Sequence, residues 1–175
     1  MTIRLSILLG VVLLSGCQSL PGPFAPPEQR QLFENFAPYR VHKIVDMGEP
    51  DANQHIVTGI VGDTGPWRWT NKRVEVRVFL RTNQMLRYVI DFSIVDATFK
   101  DTGPLEFSFY VNGHVVDHRR YTSPGSEHFE KPIPEDWVEP GKDAIVGAEV
   151  DKVWVSPADH QPLGFVLTRM GLLQE

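Results

Sequence analysis

Cysteine is almost missing from this chain: Cys17 stands alone among 175 residues. No disulfide can close within one molecule, so a stable fold has to come from apolar packing. Long apolar runs are also missing. Beyond residue 16 no stretch approaches the roughly 20 apolar residues that a membrane-spanning helix needs. Basic residues are in the minority, with 17 Lys+Arg against 22 Asp+Glu and a formal net charge of −5. That balance excludes a binder of phosphate backbones, so no nucleic-acid partner is expected. It also excludes electrostatic docking onto anionic lipid head groups. Finally, the chain has no Gly-x-Ser-x-Gly elbow, no phosphate-cradling glycine loop and no histidine-glutamate zinc motif. We therefore expect no enzyme, no catalytic residue, no metal and no cofactor.

What is present begins at the N-terminus. Arg4 is the only charge ahead of the apolar segment Ile7–Leu14. A positive start, a short apolar centre and small residues at the end describe a cleaved export signal over residues 1–16. At its close, Leu14-Ser15-Gly16-Cys17 resembles the lipobox of bacterial lipoproteins. The resemblance implies a diacylglycerol on the Cys17 sulfur, cleavage before Cys17 and acylation of its new amino group. Stable anchoring needs at least two acyl chains, because one chain binds a bilayer only marginally. Gln18 and Ser19 follow the cysteine where the inner-membrane retention signal of lipoproteins has an aspartate. The resemblance thus implies an outer-membrane protein facing the periplasm. Without the leader, 16 Lys+Arg face 22 Asp+Glu, a formal charge of −6.

Residues 17–38 read as a lipidated start, a tether and a short helix. Ser19–Pro27 is rich in proline, which fixes φ and removes amide donors, so it should be extended and stiff. Pro27–Phe36 suits a short helix, with Pro27 in the first turn and Leu32, Phe33 and Phe36 on one face.

Over residues 39–175 the apolar period becomes two. His55–Val61 reads as a strand. Val74, Val76, Val78 and Leu80 alternate with Arg73, Glu75, Arg77 and Phe79. Leu86, Tyr88, Ile90, Phe92 and Ile94 repeat the pattern, as do Leu105, Phe107, Phe109 and Val111. Asn112-Gly113 marks a tight hairpin whose return strand is His114–Tyr121. Phe129–Ile133, Ala144–Val155 and Leu163–Leu172 complete eight or nine strands. No helical stretch is long enough for a parallel crossover. The expected fold is all-β, an antiparallel β-sandwich, jelly-roll-like first and a larger immunoglobulin-like sandwich second.

Five stations along this region resemble galactose-binding-like jelly-roll domains. They are Val57–Ile60, Trp67–Thr70, Phe109–Gly113, Pro140–Lys142 and Leu163–Leu167. Such domains occur in bacterial sugar-handling and surface proteins, so the resemblance implies the sandwich and hints at carbohydrate.

Aromatic residues supply the candidates for a ligand site. Trp67 and Trp69 should share one strand face, with Arg68 and Thr70 on the other. Trp67, Tyr110, Trp137 and Trp154 are candidate ligand contacts, each with core packing as its ordinary alternative. Trp137 stands in the polar loop Pro134–Pro140, where it reads as a sugar platform, a protein hot spot or a plug for one end of the sandwich. Among the histidines, His114 and His118 sit about 13 Å apart along a strand, too far for one zinc ion. His42, His55, His128 and His160 read as single, solvated side chains. Glu149 with Asp151 is the carboxylate pair best placed for cation or acid/base work, with solvated acids on the outer strand face as the ordinary alternative. Asp96 with Asp101 and Glu135 with Asp136 are further pairs.

The reading is a lipid-anchored envelope protein whose sandwich binds a glycan or another envelope protein non-covalently. The alternatives are an assembly lipoprotein without a small ligand, and then a glycan-active enzyme. Replacing Cys17 with serine should release the protein from the membrane fraction or stall its processing, followed by fractionation and blotting. Unchanged membrane retention of Cys17→Ser would refute lipid anchoring.

Overall fold

A computed structural model describes residues 42–62 and 65–174 of the chain. The export signal, Cys17, the tether and the short helix expected over 27–36 lie outside the described residues. Within them run β1 (Ile44–Asp46), α1 (Ala52–His55), β2 (Ile56–Val61), β3 (Arg68–Phe79), β4 (Leu86–Ile94) and α2 (Asp96–Thr102). There follow β5 (Leu105–Val111), β6 (His114–Tyr121), β7 (Gly125–Pro132), a 3-10 turn at Glu135–Trp137 and β8 (Asp143–Val150). The short β9 (Trp154–Val155) and β10 (Pro162–Leu163) precede the last strand, β11 (Val166–Gln174).

All pairings are antiparallel, in the order β6-β5-β8-β3-β11-β4-β7, with β2 beside β3 and β1 beside β11. Between β3 and β11 only Trp69 with Val166 and Arg68 with Leu167 pair, and there the path turns from one layer to the other. The layers β6-β5-β8-β3-β2 and β1-β11-β4-β7 face each other. Aromatic rings meet between them: Phe129 of β7 stacks on Phe109 of β5 at 4.2 Å, and Phe92 of β4 lies 4.7 Å from Phe107. The chain crosses between layers at most of its longer connections, as a jelly roll does. The fold is an all-β antiparallel sandwich.

The period-two pattern locates its core. Val74, Val76 and Val78 of β3, every second residue from Leu86 to Ile94 in β4, and every second residue from Leu105 to Val111 in β5 are buried. Tyr88 is wholly buried, and its hydroxyl donates to the Gly147 carbonyl at 3.1 Å, so the core carries no unsatisfied phenol there. Asn112 and Gly113 both adopt positive φ, 48° and 83°, and close the expected hairpin.

Several boundaries differ from the expectation. His55 closes α1 instead of opening β2. The expected strand Ala144–Val155 breaks after Val150. There the Asp151 amide donates to the Glu106 carbonyl and its Oδ1 accepts from the Glu106 amide, ending the run. The expected strand Leu163–Leu172 divides at Gly164-Phe165. The count of eight or nine becomes eleven through the short β1, β9 and β10. Helix α2 was not expected; its seven residues carry an Asp96–Lys100 ion pair and stop at Gly103, φ 67°.

Gly59 combines a positive φ with the closest backbone approach among the described glycines. It lies at a register shift of β2 against β3, with φ +86°, and a Cβ there would sit 1.8 Å from the Arg73 carbonyl oxygen. Gly59→Ala should therefore destabilise the domain by about 2–4 kcal/mol in urea unfolding, strain and clash acting together. A change under about 0.5 kcal/mol, the ordinary scale of a surface substitution, would contradict this backbone geometry.

The outer face of β7-β4-β11 carries a chain of charges. Asp91 accepts from His128 and Arg169, and His128 Nε2 lies 3.3 Å from Glu130, which also accepts from Arg87. The Asp91 hydrogen bond, with help from Glu130, raises the His128 pKa above its ordinary value against the pull of desolvation. A histidine raised in the folded state stabilises fully below its unfolded pKa of about 6.5 and loses that contribution as pH climbs through the folded value. The Tm advantage of the parent over His128→Gln should therefore narrow as pH rises from about 6 into the alkaline range. A difference that stays constant or widens over that range would show that the imidazolium is not what this network stabilises.

Candidate functional site

The two tryptophans at the start of the central strand, Trp67 just before β3 and Trp69 within it, form the clearest surface feature. β3 enters the sheet under a clasp of hydrogen bonds on buried Thr70. Its amide and hydroxyl both donate to the Phe165 carbonyl, at 2.8 and 2.9 Å. Gly164 N donates to the Thr70 carbonyl at 2.8 Å, and Phe165 N donates to the Thr70 hydroxyl at 3.1 Å. With Thr70 fixed inward, alternation sends Arg68 inward as well, 6% exposed, and turns Trp67 and Trp69 outward. Arg68 donates to Asn53 Oδ1 and, at 3.3 Å, to the Met47 carbonyl.

Trp67 is 53% exposed, an unusual state for so large an apolar side chain, and Trp69 is half-buried beside it. Register places Trp69 beside Val166 of β11, and Val166 beside Ser93 of β4. Trp67, Trp69, Ser93, Val95, Val166 and Thr168 together line a shallow groove of about 360 Å³. Its walls are indole and aliphatic, and the Ser93 and Thr168 hydroxyls join the indole N–H groups as its polar side-chain groups.

Tyr110 lies elsewhere, on the outer face of β5. It lines a second groove, about 420 Å³, with Ser108, His118, Glu149 and Asp151 among its walls. The Arg73 guanidinium sits 4.7 Å above the Tyr110 ring, and Arg73 also pairs with Glu75 at 2.7 Å and Glu149 at 3.5 Å. Glu149 and Asp151 do share a groove, but both are engaged. Glu149 faces Arg73 and Lys72, and Asp151 holds the Glu106 amide. His118 Nδ1 lies 2.8 Å from Ser108 Oγ. Among the described residues no carboxylate hydrogen-bonds His118 Nε2, so this pair has no group to orient it as a nucleophile and base.

The other two candidates stand apart from both grooves. Trp137 is half-buried and packs against the core. It stacks on His114 at 4.9 Å, and its carbonyl accepts from Asn112 Nδ2 at 2.7 Å, which makes it a plug beside the hairpin. Trp154 is half-buried, and its indole N–H donates to Asp101 of α2 at 2.7 Å. The structure thus brings Trp67 together with Trp69 and Tyr110 together with Glu149, and does not gather the four candidates into one site.

One cluster corrects the sequence reading. His42 and His55 are not solitary solvated side chains: His55 is 1% exposed, and its ring meets that of His42 edge-on at 4.6 Å. Asp51, 7% exposed, lies 2.9 Å from His42 Nε2. The His42 hydrogen bond holds the Asp51 carboxyl below the ordinary carboxylate range, against the push of burial. The spacing Asp51-x-x-x-His55 was the available signal, since residues four apart align across a helical turn. The strand reading of His55 hides it, because residues four apart in a strand lie about 13 Å from each other.

No protein-family model matches the chain, and no curated protein matches it. Solved structures with similar folds include a family 35 carbohydrate binding module from Clostridium thermocellum, 13% identical with a TM-score of 0.40, covering 78% of this chain and 92% of that one. A family 35 module from an environmental isolate is 8% identical with a TM-score of 0.44, covering 75% of this chain and 96% of its own. An acetyl xylan esterase from Butyrivibrio proteoclasticus is 12% identical with a TM-score of 0.42, covering 78% of this chain but 34% of the esterase. At these scores the likeness assigns neither family nor ligand to this chain.

Proposed function

We propose that this domain binds a glycan non-covalently on the Trp67–Trp69 groove, and that acyl chains on Cys17 hold it at the periplasmic face of the outer membrane. The observation that carries the reading is the outward pair of indoles, one of them 53% exposed, beside Ser93 and Thr168. A sugar ring has an apolar face and a rim of hydroxyls. Indole faces cover the former while hydroxyl side chains exchange hydrogen bonds with the latter. Exposing this much indole to water is unfavourable for the domain alone, and a ligand that covers it recovers that free energy. The acidic balance of the chain suits a neutral or hydroxyl-rich ligand better than a polyanion. Binding without catalysis fits the engaged state of Glu149 and Asp151 in the second groove.

A second reading rests on the same groove. Val95 and Val166 add aliphatic wall to the indoles, a surface that an envelope protein can also cover. Crosslinking in intact cells through a photoreactive group at Trp67 separates the readings by what is captured.

Titrating the protein with a panel of envelope polysaccharides should shift its tryptophan fluorescence. Trp67→Ala should weaken binding about tenfold or more, the equivalent of about 1.4 kcal/mol. Trp154→Phe, on the α2 side, should leave the affinity as it was. A flat response across the whole panel would remove the glycan reading.

A further inference from the structure

We propose that His42, Asp51 and His55 form a binding site for one borderline divalent cation, with zinc the best match. Each residue offers one ligand atom, and the three atoms all lie within 4.8 Å of one another. His42 Nε2 and Asp51 Oδ2 are 2.9 Å apart. Around a tetrahedral zinc with bonds of about 2.0–2.1 Å, neighbouring ligand atoms stand about 3.4 Å apart. The His42–Asp51 pair stands closer than that value and no pair in the cluster exceeds 4.8 Å, so small side-chain adjustments bring all three atoms into coordination.

The second shell is in place for such an ion. His55 Nδ1 lies 3.3 Å from the Arg77 carbonyl of β3. Donating its N–H there fixes the ring and assigns Nε2 as the coordinating nitrogen, the usual arrangement of a metal-bound histidine. The backbone is held as well. The His42 carbonyl accepts from Phe79 N at 3.0 Å, and Asp51 and His55 sit one turn apart across α1. Asp51 and His55 are buried while His42 is half-buried, so the site lies just beneath the surface.

The donor set selects the cation. Two imidazoles and one carboxylate suit zinc and its neighbours, whereas calcium and magnesium require shells of oxygen ligands. Three protein ligands leave the fourth tetrahedral position to water. The ion ties the segment entering β1 to α1 and, through the Arg77 carbonyl, to β3. It is therefore a clip on the N-terminal approach to the sandwich, separate in its residues from the tryptophan groove.

The test uses the whole chain, stripped with a chelator and titrated with Zn²⁺ by calorimetry. Co²⁺ serves as a visible-absorption probe. We expect one equivalent of zinc to bind, a rise in Tm, and intense cobalt absorption of the four-coordinate type. His42→Ala and Asp51→Asn should each weaken zinc binding by more than the about 10–100-fold that outer-shell changes cost. His42 is half-buried, so its variant keeps the test valid if Asp51→Asn fails to fold. No zinc heat together with no Tm shift would overturn the proposal. So would undiminished affinity in His42→Ala, since zinc would then be held by other histidines. Calcium binding as tight as zinc would overturn the cation class.

Discussion

Thr70 is the point on which the arrangement of this sandwich depends. Four hydrogen bonds converge on one wholly buried residue and on the Gly164-Phe165 turn facing it. In a chain without an internal disulfide, this clasp does the joining that a covalent bridge does in other sandwiches. It also explains the local sequence. A Cβ at Gly164 would stand 2.5 Å from the Asn71 carbonyl oxygen, so only glycine lets β11 approach β3 closely enough to close it. The threonine hydroxyl matters because it both donates and accepts, satisfying two backbone groups that lie beyond the reach of water.

The clasp fixes more than the joint. Strand geometry alternates side chains strictly, so a buried Thr70 commits Trp69 and Trp67 to the outside. The same pairing brings Val166 and then Ser93 alongside Trp69. The tryptophan groove thus follows from the interior: the layer junction aims the indoles, and the β4 and β11 residues beside them supply its floor. A ligand bound there would rest across three strands and report directly on the junction between the layers.

The sequence makes the alternating parts of this molecule legible and leaves its contacts between distant segments hidden. Leu86 to Ile94 and Leu105 to Val111 announce their buried faces because period two is a local property. The same logic correctly opposes Trp67 and Trp69 to Arg68 and Thr70. It cannot say which outward residues become neighbours, because that depends on strand order. Composition groups Tyr110, Trp137 and Trp154 with Trp67 as aromatic candidates, and the topology sends each of the three to a different partner: Arg73, His114 and Asp101. Short elements escape for a related reason. α1 has four residues and α2 seven, too few to display a helical period.

His42 and His55 show the cost of reading titratable residues one at a time. Separated by thirteen positions, with a strand between them, they carry no metal-ligand signature in sequence. Folding nevertheless brings their rings together edge-on and sets a buried carboxylate against His42. Burying Asp51 and His55 beside the half-buried His42 is unfavourable unless the groups neutralise one another, and a proton or a divalent cation can do so. Among the described residues no lysine or arginine pairs with Asp51. A proton shared with His42 satisfies one carboxylate oxygen and one ring. A cation engages all three groups at once, and the Arg77 carbonyl already orients the deepest of them towards it. The geometry therefore favours the ion wherever zinc is present, and the N-terminal approach to the sandwich would be tightest there.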